Sequence, residues 1–131
     1  MIGLDTNVLV RYIMQDDARQ SPLATRLVES LSAASPGFVS LVSVVELAWV
    51  LGSAYGLDRD QLVQGLEGLL RTKEIVVDRA EAVWKALRIL QKSNADLADC
   101  LIERTAASAG CNKTMTFDRG AVKGCGMTPV S

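Results

Sequence analysis

The sequence predicts an α/β fold, a three-layer α/β/α sandwich with helices on both faces of a mainly parallel central sheet. Short apolar runs alternate with longer amphipathic segments from one end of the chain to the other, which is the pattern of parallel strands joined by helices. The size agrees with this, because 131 residues with 49% hydrophobic composition suffice for one core. We therefore expect a single domain over residues 1–131.

Short apolar or β-branched runs bounded by turn formers predict the strands. The predicted strands are Met1–Leu4, Phe38–Val42, Ile75–Val77, Thr114–Phe117 and a last edge segment, Met127–Val130.

Helical spacing of apolar residues predicts the segments between the strands as helices. The first begins just after Asp5 and runs to Met14, and the second has Ser21 as its N-cap and extends to about Ala34. The third, Ser43–Tyr55, is apolar nearly all round, which suits a helix buried between layers or at a subunit interface. The remaining predicted helices begin at Asp58, at Asp78 or Arg79, and at Asp96.

The composition excludes several kinds of chemistry. The chain has no histidine, so mechanisms that need Ser-His-Asp, Cys-His or paired histidines are ruled out. The three cysteines never occur as C-x-x-C, which argues against a disulfide framework and a zinc site and favours a reducing cytoplasm. No apolar run approaches the roughly 20 residues that span a bilayer, so we expect a cytoplasmic protein with no membrane partner.

Four acidic residues each occupy the start of a predicted element. They are Asp5 after the first strand, Glu46 and Asp99 in the first turns of two helices, and Asp118 after the fourth strand. Each fits a structural role when taken singly. Glu46 has capping-box spacing from Ser43, acids near a helix N-terminus are favourable, and Asp118 precedes a glycine in a turn.

Glu46 is the reason to consider the four acids together. It is flanked by apolar residues from Val44 to Ala48, where an unpaired carboxylate would be costly. Two carboxylates about 4 Å apart repel by roughly 4 kcal/mol at an effective dielectric of about 20, and a divalent cation relieves that repulsion. Mg²⁺ and Mn²⁺ prefer carboxylate oxygens, so the acids predict a site for one of them.

Four segments also carry a family resemblance. They are L-D-T-N-V-L-V-R-Y from Leu4, S-V-V-E-L-A-W-V-L from Ser43, D-L-A-D-C-L-I-E-R-T-A from Asp96 and T-M-T-F-D-R-G from Thr114. In order and spacing they resemble the motifs of PIN domains, in particular the VapC toxin ribonucleases of type II toxin–antitoxin pairs. The resemblance implies a PIN-like nuclease domain that cleaves RNA with Mg²⁺ or Mn²⁺.

The same resemblance implies roles for individual residues. The catalytic, metal-binding set is Asp5, Glu46, Asp99 and Asp118. Thr6, Asn7 and Thr116 match polar positions beside these acids and would orient a carboxylate or water, while Asp96 matches a further acid that also fits a helix N-cap. Phe117 precedes Asp118 here and Arg119 follows it, which leaves a phosphate contact by Arg119 open.

Two other enzyme classes and one non-enzymatic class compete with this interpretation. Aspartate-nucleophile phosphatases usually carry a second Asp two residues after the first, where this chain has Asn7, and no P-loop motif is present. A catalytically inactive PIN-like module that binds RNA or protein stays an alternative, because a complete set of acids does not measure turnover.

The expected partners follow from the resemblance as well. It implies an RNA substrate and a cognate VapB-like antitoxin, and we expect a homodimer. Arg119 and Arg11 are candidate RNA contacts. The third helix and its end carry the apolar residues Leu47, Trp49, Val50 and Tyr55. These residues fit a homodimer or antitoxin surface, and they fit simple core packing equally well.

Overall fold

All strand pairs are parallel in the computed structural model, which describes residues 1–131. Strand β1 (Ile2–Gly3) pairs with β2 (Gly37–Val39), which pairs in turn with β3 (Ile75–Val77). A second pair joins β4 (Met115–Thr116) to β5 (Thr128–Pro129). Each run predicted as a strand overlaps one, although β2 begins one residue before the predicted Phe38, and the α/β fold class is confirmed.

Seven helices separate the strands. They are α1 (Thr6–Met14), α2 (Gln20–Ser30), α3 (Leu41–Ser53), α4 (Arg59–Arg71), α5 (Ala80–Lys92), α6 (Leu97–Ser108) and α7 (Arg119–Cys125). Six were predicted, but the sequence interpretation took the start of α7 for a turn. Seven residues that include two glycines are too few to show a helical period of apolar residues.

The chain forms two compact units, residues 1–78 and residues 79–131. In the first unit, α1 packs on α2 and α3, α3 packs on α4, and α4 contacts β3. Its core contains the fully buried side chains Leu9, Leu47, Leu51 and Leu66. These leucines come from α1, α3 and α4, so the core fixes the helices that follow β1 and β2.

In the second unit, α6 packs on both α5 and α7, and α7 contacts β4 and β5. Its core contains the fully buried Val83, Leu87, Leu90 and Cys100. The Sγ atoms of Cys100 and Cys125 lie 3.3 Å apart as free thiols, and burial raises the pKa of the Cys100 thiol to about 12. No helix of the chain has the length and apolarity that crossing a membrane requires.

The predicted limits of α2 are wrong at both ends. The helix ends at Ser30 rather than near Ala34, and Ser21 lies inside its first turn rather than at the N-cap. Ser21 is buried, and its hydroxyl donates to the carbonyl of Arg11 at 2.9 Å. Arg19 is the N-cap and forms no side-chain cap bond, while Asp17 Oδ1 accepts the backbone N–H groups of Arg19 and Gln20 at 3.0 and 2.7 Å.

Helix α3 starts two residues earlier than predicted. Ser40 is its N-cap, and the Ser40 hydroxyl accepts the backbone N–H of Ser43 at 3.1 Å. Val42, expected at the end of a strand, is therefore helical. The predicted capping box between Ser43 and Glu46 is wrong, because Ser43 is itself the third residue of the helix.

Candidate active site

Asp5 connects β1 to α1 and occupies the N-cap position of the helix. Its backbone is extended there, yet its side chain accepts no capping hydrogen bond. The Oδ2 atom instead accepts a long bond from the Asn7 amide at 3.4 Å, and the residue is exposed. Capping therefore does not explain the carboxylate, which is open to a ligand and is oriented only by Asn7.

Thr6 follows Asp5 in the chain and has a buried hydroxyl that makes no hydrogen bond. The side chain is buried, with 3% of its surface exposed, and its Oγ1 has no hydrogen-bond partner. Leaving a buried polar group unpaired costs about 1–3 kcal/mol, and most such groups are paired. Neither Thr6 nor Asn7 occupies the N-cap position, which is that of Asp5, and the Thr6 hydroxyl has unused capacity beside Asp5.

Glu46 is exposed on α3 rather than buried. The expectation that Glu46 lies in an apolar environment and needs a compensating charge is therefore wrong, because α3 is not covered on all sides. Glu46 forms no ion pair with Lys or Arg and does not cap the helix. It borders an apolar groove of about 490 Å³ whose other lining residues are Leu41, Val42, Val45 and Trp49.

The exposed face of α3 is apolar. Val42 and Trp49, seven residues apart on the helix, are 77% and 70% exposed, whereas Leu47 is fully buried. Of the residues proposed from the sequence for an interaction surface, Trp49 alone is strongly exposed. The Tyr55 hydroxyl donates to Asp16 Oδ2 at 2.8 Å, so this side chain belongs to a polar network.

In the second unit, Asp96 and Asp99 lie at the start of α6. Asp96 is the N-cap, as predicted, and its Oδ1 accepts the backbone N–H of Ala98 at 3.4 Å. Asp99 is half-buried, and burial, followed by the negative charges of Asp96 and Asp118, raises its pKa. No Lys or Arg forms an ion pair with it, so this part of the chain concentrates negative charge that lacks a counterion.

Asp118 joins β4 to α7. Its Oδ1 accepts the backbone N–H groups of Gly120 at 2.7 Å and Ala121 at 3.4 Å, so it caps α7. The backbone N–H of Asp118 donates in turn to Thr116 Oγ1 at 3.0 Å. Thr116 thus fixes the turn that carries the acid, while Asp118 Oδ2 makes no hydrogen bond.

The two arginines proposed for RNA contact differ in their surroundings. Arg11 donates to Gln20 at 2.8 Å and to Asp16 and Tyr55 at 3.2 Å each, so it connects α1 to the segments that precede α2 and follow α3. Arg119 is exposed and has no ion-pair partner. A role in RNA binding stays a prediction for both residues.

The donor chemistry of the acids suits a hard divalent cation, although their side chains form no ready-made site. No group of three or more His, Cys, Asp or Glu side chains is arranged so that it could hold a metal ion. Asp5, Glu46 and Asp118 each keep at least one carboxylate oxygen that makes no hydrogen bond, and Mg²⁺ and Mn²⁺ prefer such oxygens as ligands. Burial and neighbouring negative charges raise the pKa of Asp99, and a cation would favour its ionised form.

The PIN domain family model matches residues 2–124. The chain belongs to the PIN domain family. The matched region of this PIN domain includes every acid discussed above and spans both compact units. A VapC ribonuclease of Aquifex aeolicus (strain VF5) is 22% identical over 116 residues, which cover 88% of this chain and 86% of that protein. The predicted family and fold are thereby confirmed.

The sequence interpretation gave Phe117 no role of its own. In this PIN domain it lies between Thr116 and Asp118 and is 87% exposed. The available signal was an aromatic residue placed directly before an acid of the motif, and it lies one residue beyond the two-residue strand β4.

Proposed function

We propose that this PIN domain, taken over residues 1–131, is an endoribonuclease that hydrolyses RNA phosphodiester bonds with Mg²⁺ or Mn²⁺. The main support from the structure is Asp5, a carboxylate at a helix start that does not cap its helix. Family membership over residues 2–124 and the similarity to a VapC ribonuclease support the same function.

The proposed ligands of the cation are Asp5, Glu46, Asp99 and Asp118. A bound divalent cation supplies a Lewis acid that makes water more acidic and offsets charge on the phosphodiester. Asn7 orients the carboxylate of Asp5 through its amide, and Thr116 holds the backbone of Asp118. The hydroxyl of Thr6 has the capacity to orient a water molecule, because no protein group uses it.

The raised pKa of Asp99 couples metal binding at the proposed site to the pH. In the free protein, burial and the charges of Asp96 and Asp118 oppose ionisation of this carboxyl. A cation opposes the same effects, because it favours the charged form of its ligands. We therefore expect metal binding to release protons and to weaken as the pH falls.

The function is tested by cleavage of labelled RNA in Mg²⁺ and in Mn²⁺. We expect Asp5→Asn and Asp99→Asn each to lower the rate by at least about 100-fold, the size of effect seen when one electrostatic contact of a transition state is removed. Asp60→Asn is the matched control, because Asp60 is an exposed acid in the first turn of α4. Parental cleavage by either folded site variant would refute the proposal.

We further propose that the protein is the toxin of a VapBC-type pair, acts in the cytoplasm, binds a VapB-like antitoxin and forms a homodimer. The apolar face of α3 around Val42 and Trp49 supports a protein partner, because exposed apolar patches often mark interaction sites. Trp49→Glu should shift the protein toward monomer in light scattering. A parent that is monomeric at micromolar concentrations would refute the dimer, and activity unaffected by the antitoxin would refute the pairing.

A catalytically inactive PIN-like module is the second candidate. The observation that favours it is the exposed apolar face of α3 around Val42 and Trp49, which suits binding of a protein whether or not the chain cleaves RNA. Tight Mn²⁺ binding without cleavage of either structured or unstructured RNA would support this candidate over the nuclease.

A further inference from the structure

The open face of the β4–β5 pair carries exposed apolar side chains. Phe117 is 87% exposed, the highest value among the large hydrophobic residues, and Met115 and Val130 are 47% and 43% exposed. Met115 pairs with Thr128 in β5, and Phe117 and Val130 each lie one residue beyond the last paired positions, Thr116 and Pro129. The two strands thus present an aromatic ring next to Asp118.

The backbone around Phe117 is held on both sides while its ring is left free. The carbonyl of Thr116 accepts the N–H of Val130 at 3.0 Å, and the hydroxyl of Thr116 accepts the N–H of Asp118 at 3.0 Å. Asp118 in turn caps α7. The position of the aromatic residue is therefore fixed by a turn, which lowers the entropy lost when a ligand packs against it.

The chain segment that carries this ring is basic, although the chain as a whole has a net charge of −1. Residues 111–131 contain three cationic side chains and one acid, Asp118. The three cations, Lys113, Arg119 and Lys123, are exposed and form no ion pair. An exposed aromatic ring in a basic segment is a combination that binds single nucleic-acid strands by stacking and phosphate attraction.

We propose that Phe117 stacks on an unpaired base of the bound RNA, beside Asp118, while the cations of residues 111–131 attract its phosphates. The proposal rests on the nuclease function proposed above and adds to it a residue that selects unpaired nucleotides at the cleavage point. Phe117, Met115 and Arg119 would also suit a protein interface, whereas Lys113 and Lys123 would not. The position of the ring next to Asp118, a proposed ligand of the catalytic cation, favours RNA as the occupant.

Equilibrium binding in EDTA tests the proposal without cleavage. The full-length protein is titrated into a fluorescein-labelled 12-nucleotide single-stranded RNA and into the duplex of the same sequence. The variants are Phe117→Ala, the conservative Phe117→Tyr, and Arg119→Gln. Ile102→Ala is the matched control, because Ile102 is an exposed apolar residue on α6 outside this surface, 54% exposed.

We expect Phe117→Ala to bind the single strand about 5- to 150-fold more weakly, the effect of losing one base–aromatic stack. Phe117→Tyr and Ile102→Ala should bind like the parent, and the duplex affinity should not change. Arg119→Gln should reduce the slope of log affinity against log salt by about 0.7, the value for one phosphate contact on a single strand. Phe117→Ala should leave that slope unaltered.

Parental single-strand affinity in Phe117→Ala would overturn the proposal, and so would an equal loss for single strand and duplex. Conversion of a parental dimer to monomer by Phe117→Ala, with RNA affinity kept, would assign the surface to a second copy of the chain instead.

If the parent binds RNA through Phe117 but never cleaves it, the nuclease function fails while the stacking role stands. If the parent cleaves RNA and Phe117→Ala does so with unchanged KM, the stacking role alone fails. A parent that binds no RNA in EDTA and cleaves none in Mg²⁺ or Mn²⁺ overturns both.

Discussion

Asp118 combines a structural role with a proposed catalytic role, and two substitutions separate them. Its Oδ1 caps α7 through bonds of 2.7 and 3.4 Å, while its Oδ2 makes no hydrogen bond. Asparagine keeps the capping oxygen but removes the charge, whereas alanine removes both. Losing an N-cap side chain costs about 1 kcal/mol, which corresponds to roughly 4 °C in melting temperature for a chain of this size.

We therefore expect Asp118→Asn to melt close to the parent and Asp118→Ala to melt about 4 °C lower, both in metal-free buffer. Because both lack the carboxylate, both should lose RNA cleavage in Mg²⁺ and Mn²⁺ to a similar degree. Thermal unfolding followed by circular dichroism and a labelled-RNA assay measure the two effects. Equal melting of the Asn and Ala variants would refute the capping argument, and parental cleavage by the Asn variant would refute the ligand assignment.

Three further predictions concern the surroundings of the acids. Gly124→Ala should destabilise the protein by about 1–3 kcal/mol in urea unfolding, because its Cβ would lie 2.7 Å from the Cβ of Ala95. Tyr55→Phe should lower the melting temperature at pH 7, since the Tyr55 hydroxyl lowers the pKa of the Asp16 carboxyl and so stabilises the folded state above the ordinary value of 3.8. Iodoacetamide should modify Cys111, the exposed cysteine, before either buried thiol, as mass spectrometry would show.

Each of these predictions has a control or a contradicting result. Gly52→Ala is the control for the glycine, because its Cβ would meet open space in α3, and it should be neutral or stabilising by up to about 1 kcal/mol. The Tyr55→Phe difference should shrink as the pH falls below 3.8, and a difference that grows there would contradict the assigned bond. Equal modification of all three thiols in the folded protein would contradict the prediction, because it would show that Cys100 in α6 and Cys125 in α7 are accessible.

The fold class could be predicted because every strand and six of the seven helices leave a periodic or apolar signal. Helix starts were less predictable where several hydroxyl or carboxylate residues compete for one cap. Ser40 rather than Ser43 caps α3, and Asp17 rather than Ser21 accepts backbone N–H groups at the start of α2. The sequence cannot rank such neighbours, because the choice depends on tertiary bonds such as the one from Ser21 to the carbonyl of Arg11.

The candidate site shows the same division. The motifs predicted which acids form the site, a prediction that stays open, and the structure supplied what spacing cannot, namely which of their oxygens already accept hydrogen bonds. Asp118 and Asp96 cap helices, whereas Asp5 does not. Glu46 was expected to be buried because its helix is apolar nearly all round, but one face of α3 is exposed. An apolar face predicts burial only when it is known what covers that face.

The central claim is that Asp5, Glu46, Asp99 and Asp118 together hold the divalent cation on which RNA cleavage depends. Anomalous diffraction from crystals soaked in Mn²⁺ tests it directly, because the anomalous signal marks the metal and the map shows its ligands. The claim predicts a manganese peak within coordination distance of the carboxylates of Asp5 and Asp99 and of at least one of the other two. If the crystallised protein cleaves RNA in Mn²⁺ and the manganese binds elsewhere or not at all, the claim is wrong.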